Sequence, residues 1–419
     1  MKVCIIKASA ASGFKKYKKS RGGLPQNIFC LASATPRDIE VELIDETIDY
    51  EVNYSSDADL VAIMFSTPDA MRAYKHGDLF KKLGKTVVMG GLHASFLPDE
   101  ALKHCDAVMI GESEPVWTDV LKDFQNHSLK ERYEAAEAFD LADLKPFRKD
   151  LIPLEYYDYV WTVIVSRGCP NKCEFCTVNK FFKKQTYRPI ANIIEEIKNC
   201  GTKYVELKAD NLTVDRDYCL ELFKALKPLQ VSWSTLTALS FTEDEELLAA
   251  AVESGLSYVL VGIESVSEQA LKRAGKGFVT KQKIIDGVEK FHQYGVVVDS
   301  LALFGFDSDT PDIFEKTFEF YKEIGVDVSD SAIITPYPGT SLFKRLDDEG
   351  RILTHDWAKY DGSYAVYQPA SMSVEDLEYG AYWFNKKWYS RAERLERNKR
   401  MKRYLSPEDY EYVRSSFIS

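Results

Sequence analysis

A short loop with three cysteines constrains this chain more than any other stretch. Cys169, Cys173 and Cys176 are separated by four and three residues, so one loop can bring three thiolates to one place. A structural zinc site closes with four protein ligands, and a four-iron cluster used only for electron transfer takes four thiolates. Three cysteines therefore predict a cluster with one iron open to a small molecule. A zinc loop completed by a distant Cys or His is the alternative interpretation.

The loop at residues 166–176 has the pattern C-x3-C-x2-C, with Phe175 before the last cysteine. This pattern resembles the signature of the radical S-adenosylmethionine (SAM) enzymes. The resemblance implies that the three cysteines hold a [4Fe-4S] cluster, that SAM binds the open iron, and that Phe175 lies near the adenine. In that family the reduced cluster cleaves SAM to methionine and a 5′-deoxyadenosyl radical, while the protein supplies orientation and excludes water and oxygen.

The composition indicates a soluble globular protein of two domains with a C-terminal extension. The 419 residues carry a formal net charge of −11, which disfavours nonspecific nucleic-acid binding. Neither a membrane span nor a signal peptide is predicted, and a cytoplasmic location is expected. The remaining cysteines are scattered, which predicts buried free thiols rather than a disulfide framework or a second cluster; they are Cys4, Cys30, Cys105, Cys200 and Cys219.

Residues 1–130 alternate short apolar runs with helix-like stretches, which predicts a Rossmann-type α/β domain with a doubly wound parallel sheet. Ligands bind such sheets at the carboxyl ends of the strands. Strands are expected at 3–7, 41–44, 60–65, 86–89 and 107–110. Small or polar residues follow the last three of them: Ser66, Thr67, Gly90, Gly91, His93, Gly111 and Glu112.

This first domain is similar to the cobalamin-binding domain that precedes many radical SAM domains. By that resemblance the seven small or polar residues line the corrinoid and its nucleotide tail. The loop at 8–23 departs from the usual corrinoid-binding pattern, because it holds five basic residues and no histidine for cobalt. The basic residues could meet a phosphate or an anionic substrate, or simply be solvated. For His93, packing or hydrogen bonding is favoured over cobalt ligation.

A linker at 131–155 is predicted to lead into a catalytic domain at 156–345. Six strand–helix units predict a partial (β/α)6 barrel of the TIM type, which is the fold of the radical SAM family. Chemistry concentrates at the carboxyl ends of barrel strands. The strands are expected at 162–165, 204–208, 231–235, 258–263, 297–304 and 328–334.

Several barrel strand ends carry candidate SAM-binding residues. By resemblance, Asp210 takes the acidic role near the methionyl amino group, although the usual glycines are missing before it. Glu264 and Ser265 would hold the SAM ribose or carboxylate, and Gly305 would let the backbone approach the adenine. For Asp210 and Glu264 a surface salt bridge or a helix cap is the alternative interpretation.

Residues 346–419 predict a mainly helical C-terminal extension. Positions 386–403 hold nine Lys or Arg against two Glu. Such a helix could face a membrane surface, an acidic partner or RNA. A helix packed on the barrel, with a solvated basic face, is favoured over those three.

Together these patterns predict a cobalamin-dependent radical SAM methyltransferase that acts on an unactivated carbon of a small-molecule or natural-product substrate. Its cofactors would be a [4Fe-4S] cluster, SAM and cobalamin, and its partner a reductant such as flavodoxin or ferredoxin. The alternatives are a cobalamin-dependent enzyme that cyclises, contracts a ring or oxidises, a SAM-only radical enzyme with a vestigial cobalamin domain, and a sensor without turnover. No catalytic proton donor is assigned.

Overall fold

The computed structural model of the chain describes residues 1–10, 24–48, 51–152, 156–157, 160–277 and 279–414. The basic residues at positions 15–21, which could meet a phosphate or an anionic substrate or be solvated, lie outside the described residues. None of the helices within these ranges is both long enough and apolar enough to cross a membrane.

A six-stranded parallel sheet forms the first domain. Its strands are β1 (Lys2–Lys7), β2 (Glu40–Asp45), β3 (Leu60–Met64), β4 (Thr86–Gly90), β5 (Ala107–Ile110) and β6 (Arg132–Glu134). Their order in the sheet is β2-β1-β3-β4-β5-β6, so the winding direction reverses between β1 and β3. Ligands of such sheets bind at this switch point. The predicted strands are confirmed, and β6 adds an edge strand within the segment predicted as a linker.

Helices cover the sheet because its strands are apolar on both faces, as in β3, where every residue is buried. Trp117 ties two of the helices together by donating its indole N–H to the hydroxyl of Thr35 at 2.8 Å. The helices are α1 (Gln26–Ala34), α2 (Ala70–Lys82), α3 (Leu92–Phe96), α4 (Pro98–Ala101) and α5 (Glu114–Gln125).

The second domain is an open barrel of parallel strands. A five-stranded sheet has the order β13-β12-β11-β10-β7, and β14 pairs with β15. Isolated bridges from Glu264 to Ala302 and from Asp299 to Val328 join the two sheets into one curved wall. The barrel strands are β7 (Trp161–Ile164), β10 (Tyr204–Lys208), β11 (Ser232–Thr237), β12 (Leu256–Val261), β13 (Val297–Asp299), β14 (Ala302–Phe304) and β15 (Ser331–Ile333). Outside the barrel wall, β8 (Ser166–Arg167) and β9 (Thr186–Tyr187) form a short antiparallel pair.

The strand predicted at 297–304 is divided into two. β13 pairs with β12, whereas β14 pairs with β15. Ser300 and Leu301 lie between them, where the chain changes its hydrogen-bonding partner. Ser300 is fully buried at this break, and its hydroxyl lies 3.3 Å from the hydroxyl of Tyr321.

The barrel helices alternate with the strands, and several begin at a side chain that accepts a backbone N–H in the first turn. Asp244, for example, accepts from Leu247 at 3.0 Å. These helices are α6 (Val178–Phe181), α7 (Ile190–Cys200), α8 (Arg216–Leu226), α9 (Glu245–Glu253), α10 (Glu268–Arg273), α11 (Lys281–Gln293), α12 (Ile313–Ile324) and α13 (Ser341–Asp348).

The C-terminal extension contains α14 (Val374–Trp388), α15 (Arg391–Met401) and α16 (Pro407–Val413). Two cations of the basic segment point into the molecule. Arg397 is buried with its guanidinium 4.4 Å from the ring of Trp388, and Arg400 donates to Asp327 at 3.0 Å. The basic helix therefore packs on the barrel, as favoured from the sequence.

Candidate active site

The three cysteines of the cluster loop line a cavity of about 260 Å³ at the carboxyl ends of the barrel strands. Cys173 is buried, and Cys169 and Cys176 are partly exposed. The side-chain amide of Asn179 shapes the loop by donating to the carbonyl oxygens of Asn171 at 3.2 Å and Cys173 at 3.3 Å. The loop thus presents all three thiols to one space.

The donor set suits an iron–sulfur cluster better than a single ion. Among the described residues, no three Cys, His, Asp or Glu side chains converge closely enough to hold one metal ion. In a four-iron cluster each thiolate binds a different iron, so three sulfurs need to surround a cage rather than meet at a point. The other five cysteines are buried free thiols in other parts of the fold, which leaves one iron without a thiolate.

Iron must displace protons from this loop. Burial raises the pKa of Cys173 to about 11, although the ammonium of Lys276 opposes the shift. Burial also raises the pKa of Cys176. Because a metal binds the thiolate, cluster assembly would release the protons of these thiols, and the positive charge of the iron would compensate for the negative charge of the buried thiolates.

Asp210 supports the cluster loop from the end of β10. Its carboxylate accepts the backbone N–H of Gly168 at 2.7 Å. Gly168 has φ +86°, and a Cβ there would lie 2.8 Å from the carbonyl oxygen of Lys184. Burial raises the pKa of Asp210, against the effect of the Gly168 N–H. Asp210 therefore lines the cavity and also fixes the residue that precedes Cys169.

Glu264 lines the same cavity as the cysteines and pairs with Lys276 at 2.6 Å. Lys276 also donates to the carbonyl oxygen of Gly262 at 3.2 Å. Both side chains line the cluster cavity, where they could bind the ionic groups of SAM. Sequence reasoning missed Lys276, which follows α10 and belongs to no motif; the glycines on both sides of it are the only local signal.

Ser265 and Gly305 do not line the cluster cavity. Ser265 is buried, and its hydroxyl accepts the N–H of Ser267 at 3.1 Å. Gly305 has φ +100°, and its carbonyl oxygen accepts from Tyr367 of the C-terminal extension. Phe175 lines the cavity and packs edge-on against Phe306 at 6.4 Å. The SAM-binding roles of these residues stay predictions.

A second cavity, of about 350 Å³, lies at the switch point of the first domain. Of the seven residues predicted there, Ser66, Gly91, Gly111 and Glu112 line it. Gly91 has φ +101°, and a Cβ would lie 2.4 Å from the carbonyl oxygen of Phe65, whereas a Cβ at Gly111 would meet nothing within 4 Å. Glycine at position 91 is therefore required by the approach of Phe65, whereas the open space at Gly111 leaves room for a bulky ligand to approach the backbone.

Thr67, Gly90 and His93 are buried and do not line this second cavity. His93 packs edge-on against Trp357 at 5.1 Å between ring centres. Burial lowers its pKa, although Glu100 lies 3.6 Å away. His93 therefore occupies a packing position where the C-terminal extension meets the first domain.

The two cavities are neighbours. Val178 and Asp210 line both, and Arg167, which precedes the cluster loop, lines the cavity of the first domain. The strand ends of the two domains therefore face each other across the cluster loop. Only the folded chain brings them together, because some 50 residues separate β5 from the loop.

Apolar side chains form part of the cluster cavity. Leu236 is 38% exposed and Leu301 is 36% exposed, although both lie inside the barrel. Leu239, Leu260 and Val279 continue this surface. Apolar groups left open to a cavity gain free energy when an apolar ligand covers them, so this wall suits a hydrocarbon surface.

The loop after β14 carries a pH-sensitive group. Asp309 is buried and accepts the backbone N–H groups of Gly305 and Phe306, each at 3.0 Å. Burial raises its pKa from 3.8 to about 7, against these two N–H groups. Between pH 3.8 and about pH 7 the Asp309 carboxyl is protonated in the folded state and ionised in the unfolded state. The free energy of unfolding should therefore fall as pH rises through this range.

We expect this fall to reach up to about 4 kcal/mol between pH 4 and pH 7. Asp309→Asn keeps an oxygen for the two N–H groups but cannot ionise. Urea unfolding at pH 4.5 and pH 7 should therefore show a smaller loss of stability for the variant than for the wild type. An equal loss in both proteins would contradict the assignment to Asp309.

Comparison with known proteins places these features in a family. The model of the radical SAM superfamily matches residues 163–321. Two relatives come from Chlorobaculum tepidum. Bacteriochlorophyllide d C-8(2)-methyltransferase is 33% identical, and the match covers 83% of this chain and 82% of the relative. Bacteriochlorophyllide d C-12(1)-methyltransferase is 29% identical, and the match covers 84% of this chain and 80% of the relative. The solved structure of the cobalamin-dependent SAM radical enzyme OxsB, with aqua-cobalamin and SAM bound, shares the fold at a TM-score of 0.71 and 13% identity, covering 99% of this chain and 70% of that one.

The chain belongs to the radical SAM superfamily, and the resemblance seen in its cysteine loop is confirmed. It is a radical SAM enzyme, and the role of Cys169, Cys173 and Cys176 as its cluster ligands stays a prediction that their shared cavity supports. Its fold, a Rossmann-like domain followed by a partial barrel, is shared with the cobalamin-dependent SAM radical enzyme OxsB.

Proposed function

We propose that this enzyme is a cobalamin-dependent C-methyltransferase that acts on an unactivated carbon of a substrate with a largely apolar skeleton. The observation that carries the proposal is the contact between the two cavities at Val178 and Asp210. A substrate in the barrel would lie between the cluster loop on one side and the first-domain cavity on the other. Cofactors held in these two places would both reach one substrate carbon.

The cluster with SAM supplies a radical that removes hydrogen, and cobalamin supplies the methyl group. The chain itself orients the cofactors and the substrate and shields them from water. Cys169, Cys173 and Cys176 hold the cluster, and Glu264 and Lys276 offer opposite charges to the ionic groups of SAM. Gly91 and Gly111 line the first-domain cavity and would contact the corrinoid, with open space beside the backbone at Gly111.

The apolar wall supports the proposed substrate class. Leu236 and Leu301 would be covered by the substrate, which also keeps water away from a reactive radical. The relatives named as bacteriochlorophyllide methyltransferases support methyl transfer to carbon. The solved structure of OxsB, which holds aqua-cobalamin and SAM together, supports the use of both cofactors on this fold.

A reductant for the cluster is part of the proposal, with flavodoxin or ferredoxin as the partner. None of the eight cysteines, all of which lie in the described residues, forms a disulfide. Because free thiols persist in reducing compartments, the proposed location is the cytoplasm.

The proposal is tested by anaerobic expression with and without hydroxocobalamin, followed by cofactor counts and product analysis. We expect about four irons and one corrinoid per chain. The loaded enzyme should form 5′-deoxyadenosine and S-adenosylhomocysteine in equal amounts with each methylated product. The corrinoid-free enzyme should still cleave SAM to 5′-deoxyadenosine but lose methylation altogether.

Other outcomes would identify the alternatives. Corrinoid binding with 5′-deoxyadenosine but no S-adenosylhomocysteine would favour cyclisation, ring contraction or oxidation. Iron without any bound corrinoid would overturn the methyl-transfer proposal and leave a SAM-only enzyme. Cofactor binding without SAM cleavage would favour a sensor. Bound zinc with no iron, after anaerobic reconstitution, would contradict the cluster itself.

A further inference from the structure

Arg167 reaches from the barrel into the first domain. It ends β8 two residues before Cys169, and it is 8% exposed. Its guanidinium donates to Glu112 at 2.9 Å and to Glu114 at 2.7 Å. Both carboxylates follow β5, at the strand ends that line the first-domain cavity. One side chain thus joins the cluster loop to the wall of the other cavity.

The contacts hold the guanidinium on several sides. Besides the two carboxylates, it lies 3.5 Å from the sulfur of Cys30 in α1 and 6.0 Å from the centre of the Phe139 ring. The pKa of Glu114 stays below its ordinary value, because Arg167 outweighs the effect of burial. A planar fork that donates in two directions fits this place, and a lysine ammonium could not reproduce it.

Both carboxylate oxygens of Glu112 already accept a hydrogen bond from within the chain. One carboxylate oxygen accepts from Arg167, and the other accepts the backbone N–H of Phe139 at 3.1 Å. Its geometry makes it an anchor for Arg167. Glu112 also lines the first-domain cavity, and the corrinoid contact predicted for it from the strand-end pattern stays a prediction.

We infer that Arg167 is a positioning residue that fixes the cluster loop relative to the first-domain cavity, so that radical formation and methyl transfer meet at one substrate carbon. This inference rests on the proposed function. A small displacement of reacting groups costs far more in rate than in binding. Arg167 would therefore govern how efficiently each radical event leads to methylation, more than it governs the radical event itself.

The chain offers a matched control for substitution. Arg188 is also buried and pairs with a glutamate, Glu196, at 2.6 Å. Its partner lies in α7 of the same barrel, so this pair does not cross between domains. Arg167→Lys and Arg188→Lys both replace a buried guanidinium by an ammonium, but only the first loosens the contact between the two cavities.

The first measurement is the amount of methylated product per 5′-deoxyadenosine in the holoenzyme. For Arg167→Lys we expect this ratio to fall by roughly 10- to 100-fold, with iron and corrinoid counts retained. For Arg188→Lys the two products should decline together, which leaves the ratio unchanged. An unchanged ratio in Arg167→Lys, or a parallel loss of both products, would overturn the inference.

A second measurement does not depend on turnover. Pulsed EPR reports the distance between the reduced cluster and cob(II)alamin, and hydrogen exchange of the cofactor-free protein reports the mobility of the cluster loop. Arg167→Lys should broaden the distribution of cluster–cobalamin distances and speed hydrogen exchange at 166–176 and 107–114. Arg188→Lys should change neither the distance distribution nor the exchange of these two segments. Unaltered exchange in Arg167→Lys would contradict the positioning role even if the wild type proved to methylate nothing.

Discussion

Replacing any one of Cys169, Cys173 and Cys176 by alanine is expected to abolish SAM cleavage. Each thiol lines the cluster cavity, and no other cysteine in the described residues lies in that cavity. Loss of residues that merely support metal ligands typically costs 10- to 100-fold, so loss of a ligand should cost roughly 100-fold or more. Iron and sulfide counts, the absorption spectrum and 5′-deoxyadenosine formation would measure the effect after anaerobic reconstitution.

Cys219→Ala provides the control for this series. Cys219 is fully buried in α8, and its thiol contacts the carbonyl oxygen of Leu212 at 3.2 Å. The variant removes a thiol but no cluster ligand, so it should retain full iron content and SAM cleavage. Full iron content in a variant of the cluster loop would mean that the cluster is held elsewhere.

Gly255→Ala is expected to destabilise the barrel by about 3 kcal/mol or more. Gly255 has φ +108°, and a Cβ there would lie 1.9 Å from the carbonyl oxygen of Val231. Its own carbonyl oxygen accepts the N–H of Trp233 at 2.9 Å, so the backbone cannot move away without breaking the pairing of β11 with β12. The midpoint of urea unfolding, followed by far-ultraviolet circular dichroism, would measure the loss.

Gly201→Ala separates backbone conformation from steric overlap. Gly201 ends α7 with φ +83°, but a Cβ there would meet nothing within 4 Å. Only the left-handed conformation is disfavoured at this position, at a cost of about 1 kcal/mol. If both variants lost the same stability, close approach to Val231 would not be the reason for glycine at position 255.

The local patterns predicted most of the fold. Apolar runs such as Leu60–Met64 can be buried on both faces only in a covered parallel sheet, and the predicted strands of the first domain formed. The exception is informative. The run at 297–304 is apolar except for Asp299 and Ser300, and these two polar residues mark the break beyond which the chain pairs with a different neighbour.

The strand-end residues show where pattern reasoning stopped. Ser66, Gly91 and Gly111 open into the first-domain cavity, whereas Thr67, Gly90 and His93 turn into the packing around it. The sequence identifies where a parallel strand ends. The direction of the side chains beyond that point depends on the conformation of the turn, which itself depends on the residues that pack against it. For His93 the deciding neighbour is Trp357, which lies more than 250 residues away in the chain.

The sequence by itself determined the cluster loop, because three thiols in eight residues need no distant partner to share a cavity. It also determined the two α/β domains, because buried strands and helices require apolar residues at characteristic spacings, and the sequence shows those spacings. Tertiary structure alone decided that Arg167 joins Glu112, that Lys276 joins Glu264, and that two cavities meet at Asp210. Ion pairs and cavities depend on side chains brought together from remote segments, and no local pattern records which remote segments will meet.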